Sequence, residues 1–458
     1  MYLDNQIDLK ADDVVIGLDV SAGRYDAYVQ IGRFNGDWRE FYYTDEFWKA
    51  HFSSEISIPG VVRIQKYNPK MVILEPTGPY SKFLVSQFEQ REIPYLLVNQ
   101  TQVKETRKAF GGTDNKDDAY DALLMVAVFQ TQFIQNYNWR YWLEDRPDII
   151  KEMRTILLDI NSAIKKGSAA RNAAKQRFAR GEWIGKAKIK SRRYDGELDP
   201  DMPPAFWAWV ANWLPTGKWK LRKGDITKWE NAYAKALEDG SATGISDETR
   251  DLAYTICLMH ASEARLERRL LPVLGNPIFA PYHRVFNRFR FGARTRAWIL
   301  VRIFPFSKFL ENGKPIINYT MGTEKKDPLH KTKKNRTLRR FRQSLGLGNI
   351  ERQSGSSIKG KSKAKGSGQA RSLIWLFVNN SFEKAMDKSG KFNRNPGGTP
   401  ILDTILEYWL NRAYQVLPNG ELKKVEGKDR YAALAATMRR VAGLLYSELL
   451  KELADSTD

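Results

Sequence analysis

The sequence predicts an α/β domain followed by a mainly helical, strongly basic remainder. Three observations point there. Before residue 130, short apolar runs rich in β-branched residues alternate with amphipathic stretches. From about residue 145, apolar residues recur at helical spacing. The net charge of +21 is divided unevenly: residues 1–130 hold 14 Lys/Arg against 19 Asp/Glu, a net of −5, so the remainder carries +26. A polycation joined to a mildly acidic domain points to a polyanionic partner. A solvated basic surface with no partner is the plainer alternative.

Each element can be read in turn. VVIGLDV (14–20) is a continuous apolar run with one acid, the pattern of a buried strand. DAYVQIGRF (26–34) follows a turn at SAGRY as the next strand. MVIL (71–74) is a third and ends at Glu75. Pro76, Thr77, Gly78 and Pro79 break it, and YSKFLVSQFEQRE continues as an amphipathic helix. PYLLVN (94–99) is a fourth strand, and a second helix starts near Asp117. This alternation predicts a largely parallel central sheet over residues 12–130. Beyond it, the helical stretches that start at 148 and 246 could pair as an antiparallel arm. Ser246 or Asp247 is the expected N-cap of the second. Between them lie Trp207, Trp209, Trp213, Trp219 and Trp229. Tryptophans among lysines can stack on bases, but large aromatics more often form a core. Residues 331–371 carry 13 Lys/Arg and one acid, Glu351, and include the Gly/Ser/Lys stretch RQSGSSIKGKSKAKGSGQAR. Its composition alone is that of a flexible linker. The last helices are expected at roughly 402–416 and 430–454.

Several classes are excluded. No apolar run approaches the ~18 residues of a membrane span. The polar, acidic MYLDNQIDLKADD is not a secretory signal. One cysteine, Cys257, fits a reducing cytoplasm. Four scattered histidines argue against a His-based zinc site.

The acids are the chemical signal. Asp114, Asp117, Asp118 and Asp121 crowd the front of an apolar helix. One of them as a helix cap would be ordinary; four are more than capping needs. Asp19 lies inside a buried strand, where an uncompensated charge costs several kcal/mol. Glu75 stands where a strand leaves the sheet, the place where α/β sites assemble. Asp19, Glu75, Asp118 and Asp121 could converge at one sheet edge. Carboxylates left together repel, and a hard divalent ion such as Mg²⁺ or Mn²⁺ removes the conflict. Two such ions can activate an attacking group and steady the leaving oxygen of a phosphodiester.

At these residues the chain resembles the DEDD transposases of the Piv-invertase type, insertion-sequence recombinases that use a structured bridge RNA. GLDVSAGR resembles the first block of that family, with Asp19 as its acid. EPTGPY resembles the second, with Glu75. LLVNQTQVKETRKAF followed by NKDDAYDALL resembles the third, with Asp118 and Asp121; Asp117 stands where the family usually has Thr. FGARTRAWILVRIFPFSKF and FRQSLGLGNIERQSGSSIKGKSKAKGSGQARSL resemble its C-terminal blocks, with Ser354 as the aligned serine. The matches cover roughly residues 13–130 and 285–380. The resemblance implies a ribonuclease-H-like (RuvC-like) DEDD domain over 1–130 and a helical coiled-coil arm with a Trp-rich insertion over 131–280. It further implies a mainly α-helical, basic, serine-bearing transposase domain over 281–395. The Trp-rich region, an insertion at about 311–335 and a helical extension over 396–458 lie outside the resemblance, which gives them no role. Ser354 would attack a DNA phosphodiester and form a phosphoserine link, with Ser356 and Ser357 as competitors. A Mg²⁺ (or Mn²⁺) site at Asp19, Glu75, Asp118 and Asp121 would activate it. Arg339, Arg340, Arg342, Arg352, Lys359, Lys361, Lys363, Lys365 and Arg371 would contact nucleic acid. The implied partners are target and donor duplex DNA, a guide RNA and further copies of the chain, as a homodimer assembling to a tetramer. The implied setting is a bacterial or archaeal cytoplasm, at the nucleoid. A Holliday-junction-resolvase-type nuclease would need the four acids but no serine. An actin-like ATP-binding fold would need a second phosphate loop, which the sequence lacks.

Overall fold

In the computed structural model the described residues are 8–109, 117–135, 141–143, 146–188, 202–213, 223–311, 313–321, 331–348, 366–386, 391–393, 395–416, 418 and 422–454. They form two compact units, Met1–Arg146 and Pro147–Asp458. The expected divisions at 280 and 395 fall inside the second.

The first unit contains, in order, β1 (Val14–Val20), β2 (Arg24–Ile31), α1 (Trp38–Tyr42), α2 (Asp45–Ala50), β3 (His51–Glu55), α3 (Ile58–Gln65), β4 (Met71–Leu74), α4 (Pro79–Gln90), β5 (Tyr95–Leu97), α5 (Gln100–Ala109) and α6 (Asp118–Phe129). The strands form one sheet in the order β3-β2-β1-β4-β5. The expectation of a largely parallel sheet needs correction. β1, β4 and β5 are parallel, but β2 runs antiparallel to both β1 and β3. The reason is local. Only Ser21, Ala22 and Gly23 separate β1 from β2, and a helical crossover to a parallel strand needs a dozen or more residues.

Both sheet faces are covered, as the unbroken apolar runs require. On one face Ile16, Leu18, Val20, Val72 and Leu74 pack with Val61, Ile64, Leu84 and Phe88 of α3 and α4. On the other, Val15, Tyr28, Met71 and Ile73 pack with α6. Every residue of α6 from Ala119 to Phe129 is buried. Gly17 sets how closely α6 lies on the sheet. A Cβ at that position would collide with the Ala122 carbonyl and stand 3.0 Å from Met125 Cβ.

The second unit contains α7 (Asp148–Arg177), α8 (Ala205–Val210), α9 (Lys223–Glu238), α10 (Asp247–Leu274), α11 (Ala280–Arg288) and α12 (Ala293–Ile303). The hairpin β6 (Ile317–Met321) and β7 (Lys331–Asn335) follows, then α13 (Arg336–Ser344), α14 (Gly368–Ser381), α15 (Pro400–Ala413), β8 (Tyr414–Val416), β9 (Leu422–Lys424) and α16 (Gly427–Ala454). α7 and α10 pair antiparallel. Ile150–Ile160 share a core with Leu270 and Leu274, and Ala170 and Ala174 share another with Ala253, Ile256 and Cys257. Ser246 caps α10, accepting from Thr249 N–H at 3.3 Å. Trp207 and Trp183 are buried, and Trp209, Trp213 and Trp229 pack around them. Phe178 stacks on Trp207 with centroids 6.0 Å apart. These tryptophans form the core of a small helical cap on the α7–α10 pair; Trp219 lies outside the described residues.

Among the described residues, no helix is long and apolar enough to cross a membrane.

Candidate active site

The parallel register of β1 and β4 pairs Leu18 with Leu74. The next residues, Asp19 and Glu75, therefore stand side by side at the carboxyl ends of neighbouring strands. Side chains alternate along a strand. Val15 and Gly17 face α6, so Asp19 does too. Only 2% of Asp19 is exposed.

The direction of α6 brings the other two acids to this end. Just past its C-terminus, Gln130 accepts from Phe34 N–H at 2.9 Å and donates to the Gly32 carbonyl at 3.1 Å. Gly32 is bonded to Asp13, at the start of β1. Ala122 and Met125 lie over Gly17. α6 thus runs antiparallel to β1, and its N-terminus lies over the end of β1 that carries Asp19. Two residues along the strand advance ~6.6 Å, and four back along the helix from Ala122 advance ~6 Å, so Asp118 is carried level with Asp19. Asp121 is buried at 1% exposure and Asp118 is half-buried.

The neighbouring aspartate has a separate task. Asp117 is the N-cap of α6, accepting from Ala119 N–H at 3.0 Å and Tyr120 N–H at 3.2 Å. The Tyr42 phenol also donates to it. Burial first, and then Asp117, push the Tyr42 pKa up, so the phenol stays a donor. Asp114 lies outside the described residues.

Two residues that the sequence reading passed over belong to this end of the sheet. Asp26 stands directly across from Asp19 in the antiparallel β1–β2 register and is 4% exposed. Its carboxylate accepts from Arg24 Nη2 at 3.3 Å and from the Ser53 hydroxyl, and lies 3.2 Å from His51 Nε2. Arg107, on α5, forms an ion pair with Asp121, with both side chains largely buried. The alternation in DAYVQI held a signal for Asp26, because it places that acid on the same face as Tyr28. Arg107 left no sequence signal, since its partner lies on another helix.

Oxygen-only donors suit Mg²⁺ or Mn²⁺, so the donor chemistry fits such an ion. The side-chain arrangement, however, is not that of a metal cage. Among the described residues, no group of three or more His, Cys, Asp or Glu is disposed to hold a metal, and Arg107 takes up Asp121.

The basic candidates belong to the second unit. Arg339 is exposed on α13; Arg340, half-buried, donates to the Lys308 carbonyl at 3.4 Å. Arg342 is half-buried on the same helix, and Arg371 lies in the first turn of α14. Ser354, Arg352, Lys359, Lys361, Lys363 and Lys365 lie outside the described residues, as do Ser356 and Ser357. The residues that flank 349–365 meet one another. Ser367 N–H donates to the Ser344 carbonyl at 3.4 Å. Gly346 and Gly366 both have positive φ, and a Cβ on either would collide with backbone, that of Ser367 and of Gln343 respectively. The end of α13 and the start of α14 are therefore held together at this point.

No protein-family model matches the chain, and no curated protein matches it.

Proposed function

We propose that the chain is an RNA-guided DNA recombinase of an insertion sequence, with a ribonuclease-H-like first unit. It would cut and rejoin strands through a phosphoserine intermediate at Ser354. One observation carries the reading: register and helix direction bring Asp19, Glu75, Asp118 and Asp121, far apart in sequence, to one end of one sheet.

In this reading the four carboxylates would hold Mg²⁺ or Mn²⁺ once brought together as ligands. When bound, the ion supplies Lewis-acid stabilisation of charge on the phosphodiester oxygens. The chain's own groups do the rest. The Ser354 Oγ forms the new bond to phosphorus, and the bond to the DNA 3′-oxygen breaks. A serine hydroxyl is weak without activation. The covalent link conserves the phosphoester, so a second 3′-hydroxyl can displace serine and rejoin the strand without ATP. Arg352, Lys359 and Lys361 neutralise charge developing on the phosphate. Asp26, held by Arg24, His51 and Ser53, fixes the end of β2 beside Asp19. Arg107 must release Asp121 for the carboxylate to serve as a ligand.

The test has two arms. Nucleic acid that copurifies with the full-length chain from its host is sequenced, and one structured RNA is expected; random fragments would remove guidance from the reading. Ser354→Ala and Asp19→Asn are then assayed for a covalent protein–DNA adduct on DNA complementary to that RNA. Both should abolish it. Cleavage that persists in Ser354→Ala would establish the resolvase-type alternative instead.

A further inference from the structure

Four arginines of the second unit gather where, among the described residues, no acid pairs with them. The guanidinium of Arg342, on α13, crosses Gly443 of α16, and a methyl at that glycine would lie 2.9 Å from Arg342 Nη2. Gly443 comes four residues after Arg439 and three after Arg440, so all three guanidinium groups share one stripe of α16. Tyr408, on α15, holds the Arg412 guanidinium carbon 4.9 Å from its ring centroid and that of Arg440 at 5.8 Å. Among the described residues none of these four arginines forms an ion pair. Arg342 Nε is buried with no hydrogen-bond partner. The surroundings act on Arg342 as they would on any cation short of a counter-ion: burial first, then Arg439, lower its pKa, with Arg440 adding to the effect.

Like charges brought this close raise the energy of the fold unless an anion joins them. The guanidinium fork matches phosphate oxygens in pairs. Arg412, Arg439 and Arg440 are exposed, so the cluster is a shallow, open surface and not a closed pocket. Arg336 and Arg339, also exposed, extend the basic row along α13. A shallow basic track with an aromatic ring suits a polymeric phosphate better than a small free anion.

We propose that Arg342, Arg412, Arg439 and Arg440, assembled around Tyr408 and Gly443, form a phosphodiester-binding site through which the C-terminal helices grip a nucleic-acid backbone. This gives a role to the region after residue 395, which the family resemblance does not reach. The inference rests on the proposed function only for the class of its ligand.

Binding of the full-length chain to duplex DNA and to a structured RNA hairpin is measured by fluorescence anisotropy over a series of salt concentrations. Arg439→Gln/Arg440→Gln removes two exposed like charges and should not lower the melting temperature. It should weaken binding about tenfold at physiological salt and lower the slope of log K against log salt by about two. Lys228→Gln/Lys235→Gln, an equal charge loss on the exposed face of α9, should change affinity by no more than about twofold. A loss confined to DNA or to RNA identifies which backbone the site holds; a loss on both assigns it to phosphate shared by the two. Equal losses in the two double variants, or none in the arginine pair, overturn the site while leaving the recombinase reading intact. A wild-type chain that binds neither nucleic acid overturns both.

Discussion

The two units treat charge in opposite ways. In the first, two buried carboxylates find a cation within the fold: Asp26 has Arg24, and Asp121 has Arg107. In the second, Arg342 and its neighbours on α15 and α16 have no acid among the described residues. Elsewhere that same unit pairs its arginines closely, as Arg288 does with Glu452 at 2.8 Å and Arg430 with Glu383 at 2.8 Å. The unmatched cluster is therefore local and not a product of overall charge. A fold that neutralises its own charges is complete as it stands, whereas one that leaves guanidinium groups together is arranged for an anion from outside.

The largest expected effect lies in the first unit. Asp19→Asn or Asp118→Asn should lower DNA cleavage by on the order of 10³, measured as single-turnover rates, with nucleic-acid affinity retained. Wild-type rates in either variant would remove that end of the sheet from the chemistry. Next, Arg107→Ala takes the cation from the buried Asp121 carboxylate and should destabilise the chain by about 3 kcal/mol. Millimolar Mg²⁺ should recover part of that loss in denaturant titrations, and more than it adds to the wild type. A variant as stable as the wild type would show that Arg107 does not neutralise the cluster.

The same kind of change should act in reverse in the second unit. Arg342→Met removes a half-buried cation from beside two others and keeps its packing, so it should stabilise the chain by about 1 kcal/mol, read as a rise in Tm, while weakening nucleic-acid binding. Destabilisation would mean that the cluster is satisfied within the fold. The smallest effect concerns Cys257. Burial pushes its thiol pKa up from the ordinary thiol value of 9.0 to about 12. The folded chain keeps this proton where the unfolded chain loses it, so the thiol's contribution is intact below pH 9 and falls as pH rises from 9 towards 12. Alkylation at pH 8 should require unfolding; rapid labelling of the native chain would contradict the burial.

Much of the first unit was legible in the sequence because its central strands are continuous apolar runs. VVIGLDV and MVIL coincide with β1 and β4. β3, HFSSE, was missed because an edge strand half-exposed along its length carries polar residues and no clear period. α5, QTQVKETRKA, was missed because it has little apolar surface to reveal its face. Strand ends and helix starts made the four acids readable one by one. Their neighbours were not, since Arg107 reaches Asp121 through helix packing and Asp26 stands beside Asp19 through strand register. The arginine cluster was hidden for the same reason: Arg342 meets Arg439 and Arg440 only because Gly443 leaves room for a side chain to cross α16.

The paired glycines at 346 and 366 have a consequence for how this chain can vary. A segment whose two ends already touch can lengthen, shorten or change composition without moving either flanking helix, because the cost of joining its ends grows only slowly with length. The sequence between 348 and 366 can therefore vary while the join between α13 and α14, made by Ser344, Gly346, Gly366 and Ser367, stays as it is.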